Sequence, residues 1–241
     1  MDTHAVCAWT NATLAEVDSA AAYSPSVDIV DHSIAVADGA VITARWCSKA
    51  GPQPGFSRPL HPRRRHGRRA VELAHRFVAR NVEESGAPFL AVDYRLAPEF
   101  SGTSLVEDAS TALVWLAERA LALGVDSDRI VVMGDSAGGG LAAGVAIAAR
   151  DAGMPPAKQI LIYPMRDDRN LTPDPHVTPV ASWMYDNNFT GWSALVGDDL
   201  GGDQVSPLAA PARLDVFTDL ALAYIEVGDL AMSVMSTFAT A

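Results

Sequence analysis

Apolar and polar positions along the 241-residue chain fall into short blocks whose period changes repeatedly. Val27 to Ala35 and Ala40 to Trp46 alternate and are rich in β-branched residues around an Asp38-Gly39 turn, the pattern of an antiparallel hairpin. Residues 70–85 switch to a helical period, with Val71, Ala74, Phe77, Val78 and Val82 on one face and Gly86 as the stop. The apolar run PFLAVDY at 88–94 then reads as a buried strand. The succession recurs in a helix over about 105–122 (Leu105, Ala109, Ala112, Leu113, Leu116), the strand RIVVM at 129–133 and a small-residue helix from Gly138 to about Arg150. Such alternation predicts a mostly parallel sheet with helices on both faces. The runs QILIYP (159–164) and AYIEVGD (223–229) extend it as strands covered on both sides. Between them, residues 165–212 are rich in Pro, Asp, Asn and Trp and form an irregular excursion with one helix near Trp183 to Val196. Residues 1–27 read as a cap-like leader, and the length suits a single domain.

The densest chemistry lies where the strand at 129–133 meets the next helix, in the run Gly134-Asp135-Ser136-Ala137-Gly138-Gly139. A buried strand that runs into Gly-x-Ser-x-Gly and then a helix is a nucleophile elbow. The serine occupies a strained turn, tolerable only where its neighbours two residues away lack a Cβ, and Gly134 and Gly138 meet that need. The helix that follows aims its positive end at the hydroxyl, so the Ala137 N–H is the candidate oxyanion donor.

Composition narrows the alternatives. At 49% hydrophobic and 20% charged, the chain can bury one sizeable core, and no window is apolar enough for a membrane span. The first ten residues lack the order of a signal peptide, which makes the cytoplasm the expected compartment. Cys7 and Cys47 form neither a disulfide framework nor a metal-ligand spacing, so no metal is expected. A net charge of -11 argues against nucleic-acid binding. The charge is uneven, with four basic against twelve acidic residues from Asp151 onward, and six arginines without an acid between Arg58 and Arg69.

GDSAGGG at 134–140, together with DYRLAPE at 93–99, resembles the hormone-sensitive-lipase-like branch of the α/β-hydrolases, which includes many bacterial carboxylesterases. The resemblance covers about Asp28 to Asp229. It implies an α/β-hydrolase fold with an eight-stranded sheet, a cap partly from the N-terminus, and hydrolysis of short acyl esters without a cofactor. It also implies a Ser, Asp, His triad in that chain order and a His-Gly-Gly-Gly oxyanion loop before the first helix.

Two of these expectations fail in the sequence. Where the oxyanion loop belongs stand His61, Pro62, Arg63, Arg64, Arg65, His66 and Gly67, which put bulk and charge where backbone must approach the substrate. The apolar strand expected just before it is also interrupted, by Ser57, Arg58 and Pro59. Toward the C-terminus, the position matching the family's catalytic Asp is Ala231, and no His or carboxylate follows it, so a C-terminal strand and helix are expected to be missing. His176 is the only histidine after Ser136 and reads as a solvated loop residue.

One hypothesis covers both departures: the coding sequence has been read in the wrong frame in two places. If Pro62 to His66 are encoded CCA CGG CGG CGG CAT followed by G, reading one base later yields His-Gly-Gly-Gly-Met. Resequencing the gene tests this, and bases that confirm the arginines as written would sink it. Three readings of function stay open: an ester hydrolase impaired in this chain, a catalytically dead pseudoenzyme that keeps an acyl cleft, and an arginine-patch binding protein on the same scaffold. A sheet that stops after residue 229 would expose an apolar edge, so self-association is expected.

Overall fold

The computed structural model describes residues 26–49, 51, 55–61, 69–181 and 183–228, with the backbone alone for 55–61 and 69–76. Residues 1–25 of the cap-like leader, with Cys7, and Pro62 to Arg65 and Ala231 lie outside these residues, while Val27 already belongs to the first strand.

The hairpin forms as β1 (Val27–Ala35) and β2 (Val41–Lys49), paired antiparallel along their whole length. Strand β3 (Gly55–His61) follows, then helix α1 (Arg69–Ser85), β4 (Phe89–Asp93) and α2 (Ser104–Arg119). Next come β5 (Val125–Asp135), α3 (Ala137–Asp151) and β6 (Lys158–Ile162). The excursion contains α4 (Tyr185–Val196), and β7 (Leu222–Glu226) closes the order. The seven strands form one sheet in the order β1-β2-β4-β3-β5-β6-β7, parallel from β4 onward and antiparallel at the hairpin edge.

Side-chain alternation divides the core between the two faces of the sheet. On one face Ile42, Leu90, Val132 and Leu161 pack with the buried sides of α2 and α3. On the other, Cys47, Phe89, Ala91 and Met133 pack with Val78, Ala79 and Val82 of α1. Successive residues such as Leu90 and Ala91 fall into opposite clusters, as the period of two requires. Helices therefore cover both faces.

The structure corrects the sequence reading in two places. The segment interrupted by Ser57, Arg58 and Pro59 is a strand after all, placed in the middle of the sheet between β4 and β5. Its pairing runs through the backbone on both sides, Pro59 opposite Leu90 and Leu60 opposite both Ala91 and Met133, with an irregularity between Gly55 and Ser57. Proline removes one donor from such a ladder but leaves the remaining bonds available. The second correction concerns β7, whose apolar sequence reads as a strand covered on both faces. All five of its residues are exposed, including Leu222 at 74% and Tyr224 at 58%. Register places Tyr224 beside Ile160, which packs against the α1-side cluster, whereas Tyr224 itself stays exposed.

Candidate active site

The backbone of Ser136 adopts φ 53° and ψ -122°, a region that non-glycine residues occupy at a cost of about 1–3 kcal/mol. The turn is enforced by close approach. A Cβ on Gly134 would stand 2.1 Å from the carbonyl oxygen of Gly138, so only glycine lets β5 enter α3 this tightly. Gly138 and Gly139 are buried in the first turn of α3, while Asp135, Ser136 and Ala137 stay half-exposed and reachable.

Strand β6 holds the elbow from the side. The Ser136 N–H donates to the Ile162 carbonyl at 2.9 Å, and the Met165 N–H donates to the Ser136 carbonyl at 2.9 Å. The Tyr163 hydroxyl, itself on a residue with φ 36°, donates to Asp135 at 3.2 Å. Ala137 is the first residue of α3, so its N–H has no acceptor inside the helix. Among the described residues no side chain hydrogen-bonds the Ser136 hydroxyl. His176 is exposed in a turn where its N–H donates to Asp174, and His32 stacks on Trp115 with ring centroids 4.8 Å apart. Cys47 is no rival nucleophile, since burial pushes its thiol up to about 12.

A small cleft of about 40 Å³, partly open to solvent, begins at Ala137. One wall is the first turn of α3, with Ala137, Gly140 and Leu141; another is Trp192 and Leu195 of α4. Gly140 is required here too, because a Cβ on it would meet the Met165 carbonyl oxygen at 1.9 Å. The excursion carries four aromatic residues, Trp183, Tyr185, Phe189 and Trp192. Trp192 alone lines the cleft, Phe189 is 55% exposed, and the Tyr185 hydroxyl accepts from the Asp174 N–H.

Two buried ion pairs shape the cleft and were not legible as such in the sequence. Arg95, inside the DYRLAPE run, donates through its backbone N–H and its guanidinium to Asp108 of α2 and reaches Asp38 at the β1–β2 turn. These bonds raise its affinity for a proton further, Asp108 first. They fix the loop after β4, where the neighbouring Tyr94 lines the cleft. Arg213 donates twice to the fully buried Asp168, at 2.6 and 2.7 Å, and the Gly201 N–H donates to the same carboxylate. This pair joins the start of the excursion to its return.

Comparison with known proteins places this geometry. A family model described as the alpha/beta hydrolase fold matches residues 68–239. Ethyl acetate hydrolase of Pseudomonas putida is 44% identical over 88 residues, which are 36% of this chain and 28% of the relative. Esterase LipI of Mycobacterium tuberculosis is 39% identical over 142 residues, 57% of this chain and 43% of the relative. The chain thus spans less than half the length of these two curated relatives. Among solved structures, a bacterial heroin esterase is 30% identical with a TM-score of 0.86, covering 99% of this chain and 78% of its own. With the family model over most of its length and this likeness to a solved esterase, the chain belongs to the α/β-hydrolase fold family, in its hormone-sensitive-lipase-like branch.

Proposed function

We propose that the protein is of the carboxylic ester hydrolase type, that it acts on short acyl esters through Ser136, and that turnover is impaired in this chain. The observation that carries the reading is the elbow itself: a half-exposed serine at φ 53° whose neighbour Ala137 lines an apolar cleft. Attack of Ser136 Oγ on an ester carbonyl forms a tetrahedral oxyanion, which the Ala137 N–H and the positive end of α3 stabilise. Collapse of that intermediate expels the alcohol, which takes up the hydroxyl proton, and leaves an acyl-serine; water then releases the acid. Asp135, Gly134, Gly138 and Gly139 hold the turn and take no proton.

Impairment follows from the serine's surroundings. Without a base, a hydroxyl is a weak nucleophile, and no described histidine reaches it. Removing the base of a serine triad lowers turnover by about a million-fold, with a residue of rate left to oxyanion stabilisation and binding. The Ala231 position and the Pro62 to Arg65 loop, where the family places its acid and its oxyanion glycines, point the same way in the sequence.

Hydrolysis of p-nitrophenyl acetate and butyrate by the purified chain and by Ser136→Ala tests both halves. The expected result is a slow release of nitrophenol that Ser136→Ala abolishes. A rate unchanged by Ser136→Ala would remove the nucleophile assignment, and turnover of about 10 per second, ordinary for an enzyme, would remove the impairment. The chemistry needs no cofactor, and the expected partner is a small neutral ester.

A further inference from the structure

We infer that Tyr163 is a positioning residue for Ser136, and that its hydroxyl, carried on a strained backbone, steadies the elbow through Asp135. The inference rests on Ser136 being the nucleophile, as given above. Among the described residues three non-glycine residues have a positive φ. Two of them, Ser136 at 53° and Tyr163 at 36°, stand side by side, each one step beyond the last paired residues of β5 and β6, Asp135 and Ile162. A bulky residue at such a φ is an outlier that persists only where its surroundings over-determine it. Glycine would take the same φ without strain, so the tyrosine side chain is carried against the preference of its own backbone. What that side chain reaches is Asp135, which accepts from the hydroxyl at 3.2 Å and immediately precedes the serine.

The stretch that carries Tyr163 is itself held on two sides. Its own N–H donates to the Glu226 carbonyl at the end of β7. Beyond it, the next two residues are pressed against α3. A Cβ on Gly139 would stand 3.0 Å from Pro164 Cα, and one on Gly140 would stand 1.9 Å from the Met165 carbonyl oxygen. Residues 162–165 therefore form a bracket between β7 and the first turn of α3. The bracket grips the serine backbone twice, through the Ile162 carbonyl and the Met165 N–H, both at 2.9 Å. Two ties to one residue leave it a rotation about the line that joins them. The bond from Tyr163 to Asp135 comes from the same bracket, lies off that line and removes the rotation. Without it the turn populates conformers in which Oγ is misplaced, and the reactive fraction falls.

The test is the reaction of the full chain with a fluorophosphonate, in which Ser136 Oγ bonds to phosphorus, the P–F bond breaks, and fluoride and the hydroxyl proton leave to water. Intact-mass measurements over a range of reagent concentrations separate the maximal rate from the half-saturating concentration. Tyr163→Phe removes the hydroxyl alone and is expected to lower the maximal rate about tenfold, the equivalent of about 1.4 kcal/mol, as loss of one hydrogen bond does. The half-saturating concentration is expected to stay within about twofold of the parent, because positioning acts on the reacting step and not on binding. Asp135→Ala is expected to lower the maximal rate at least as far, and adding Tyr163→Phe to it to lower the rate no further, since both remove the same tie. A general loss of stability does not imitate this pattern, because a chain that stays folded in the assay, as circular dichroism verifies, keeps its maximal rate. Tyr163→Leu, which also lacks the hydroxyl, gives the same reading should Tyr163→Phe lose its fold. A maximal rate within about twofold of the parent, a change confined to the half-saturating concentration, or a double variant whose losses multiply overturns the role of Tyr163 and leaves Ser136 as the nucleophile. No adduct on Ser136 of the parent chain overturns the nucleophile reading and this inference with it.

Discussion

At the scale of single residues, the site depends on a few atoms that must be absent. Gly134 is the sharpest case, because the added methyl of an alanine would lie 2.1 Å from backbone that cannot move without unwinding the first turn of α3. Gly134→Ala is expected to lower stability by at least about 2 kcal/mol, as overpacking against backbone does, and to displace Ser136 from its turn. Urea unfolding monitored by tryptophan fluorescence checks the first effect, and a change of less than about 0.5 kcal/mol would show that the elbow relaxes freely. This part of the site was legible in the sequence, since Gly-x-Ser-x-Gly after an apolar strand constrains local backbone and little else. The sequence does not tell Trp192 from the other aromatics of the excursion, because which of them lines the cleft is decided by segments 50 or more residues apart in the chain, such as Leu141 and Trp192.

At the scale of elements, alternation and helical period were enough to locate β1, β2, β4, β5 and the four helices, which are locally amphipathic or locally apolar. Strand β3 escaped that reading for a physical reason. Its sequence contains Ser57, Arg58 and Pro59, and its strand character comes from neighbours on both sides that are remote in sequence, Phe89 to Ala91 and Val125 to Gly134. Strand β7 escaped in the opposite sense, since its composition suits burial that the described residues do not supply. The excursion is held by charge rather than by periodicity. Asp168→Asn would leave the Arg213 guanidinium facing a neutral amide in a nearly closed site and is expected to cost about 3–5 kcal/mol, as loss of one partner from a buried pair does. Thermal and chemical unfolding of the purified variant measure this, and a cost under about 1 kcal/mol would mean that apolar contacts such as Trp192 with Val205 hold the excursion alone.

At the scale of the whole molecule, the last described strand presents apolar side chains to solvent. Leu222, Tyr224 and Ile225 are exposed on β7, with Val216 and Phe217 exposed on the approach to it. A strand with a free edge and apolar faces is a template for pairing with another chain. We therefore expect the purified polypeptide to self-associate in a concentration-dependent way, and Tyr224→Lys to shift the equilibrium toward monomer. Sedimentation velocity over a range of concentrations reads this directly; a monomer at every concentration would show that these side chains are protected. The sheet order, the elbow and the cleft are all present, while a base for Ser136 is absent from the described residues.

Whether Ser136 is the nucleophile is tested most directly by its reaction with a fluorophosphonate, followed by mass spectrometry of the intact chain and of its peptides. Phosphonylation needs a poised hydroxyl and an oxyanion site but no release of an acyl group, so it reports on the elbow even where turnover is slow. The expected result is a single adduct on the peptide that contains Ser136, formed over hours and absent from Ser136→Ala. No adduct on that peptide after prolonged exposure, or an adduct on another residue, would contradict the assignment of Ser136 as the reacting group.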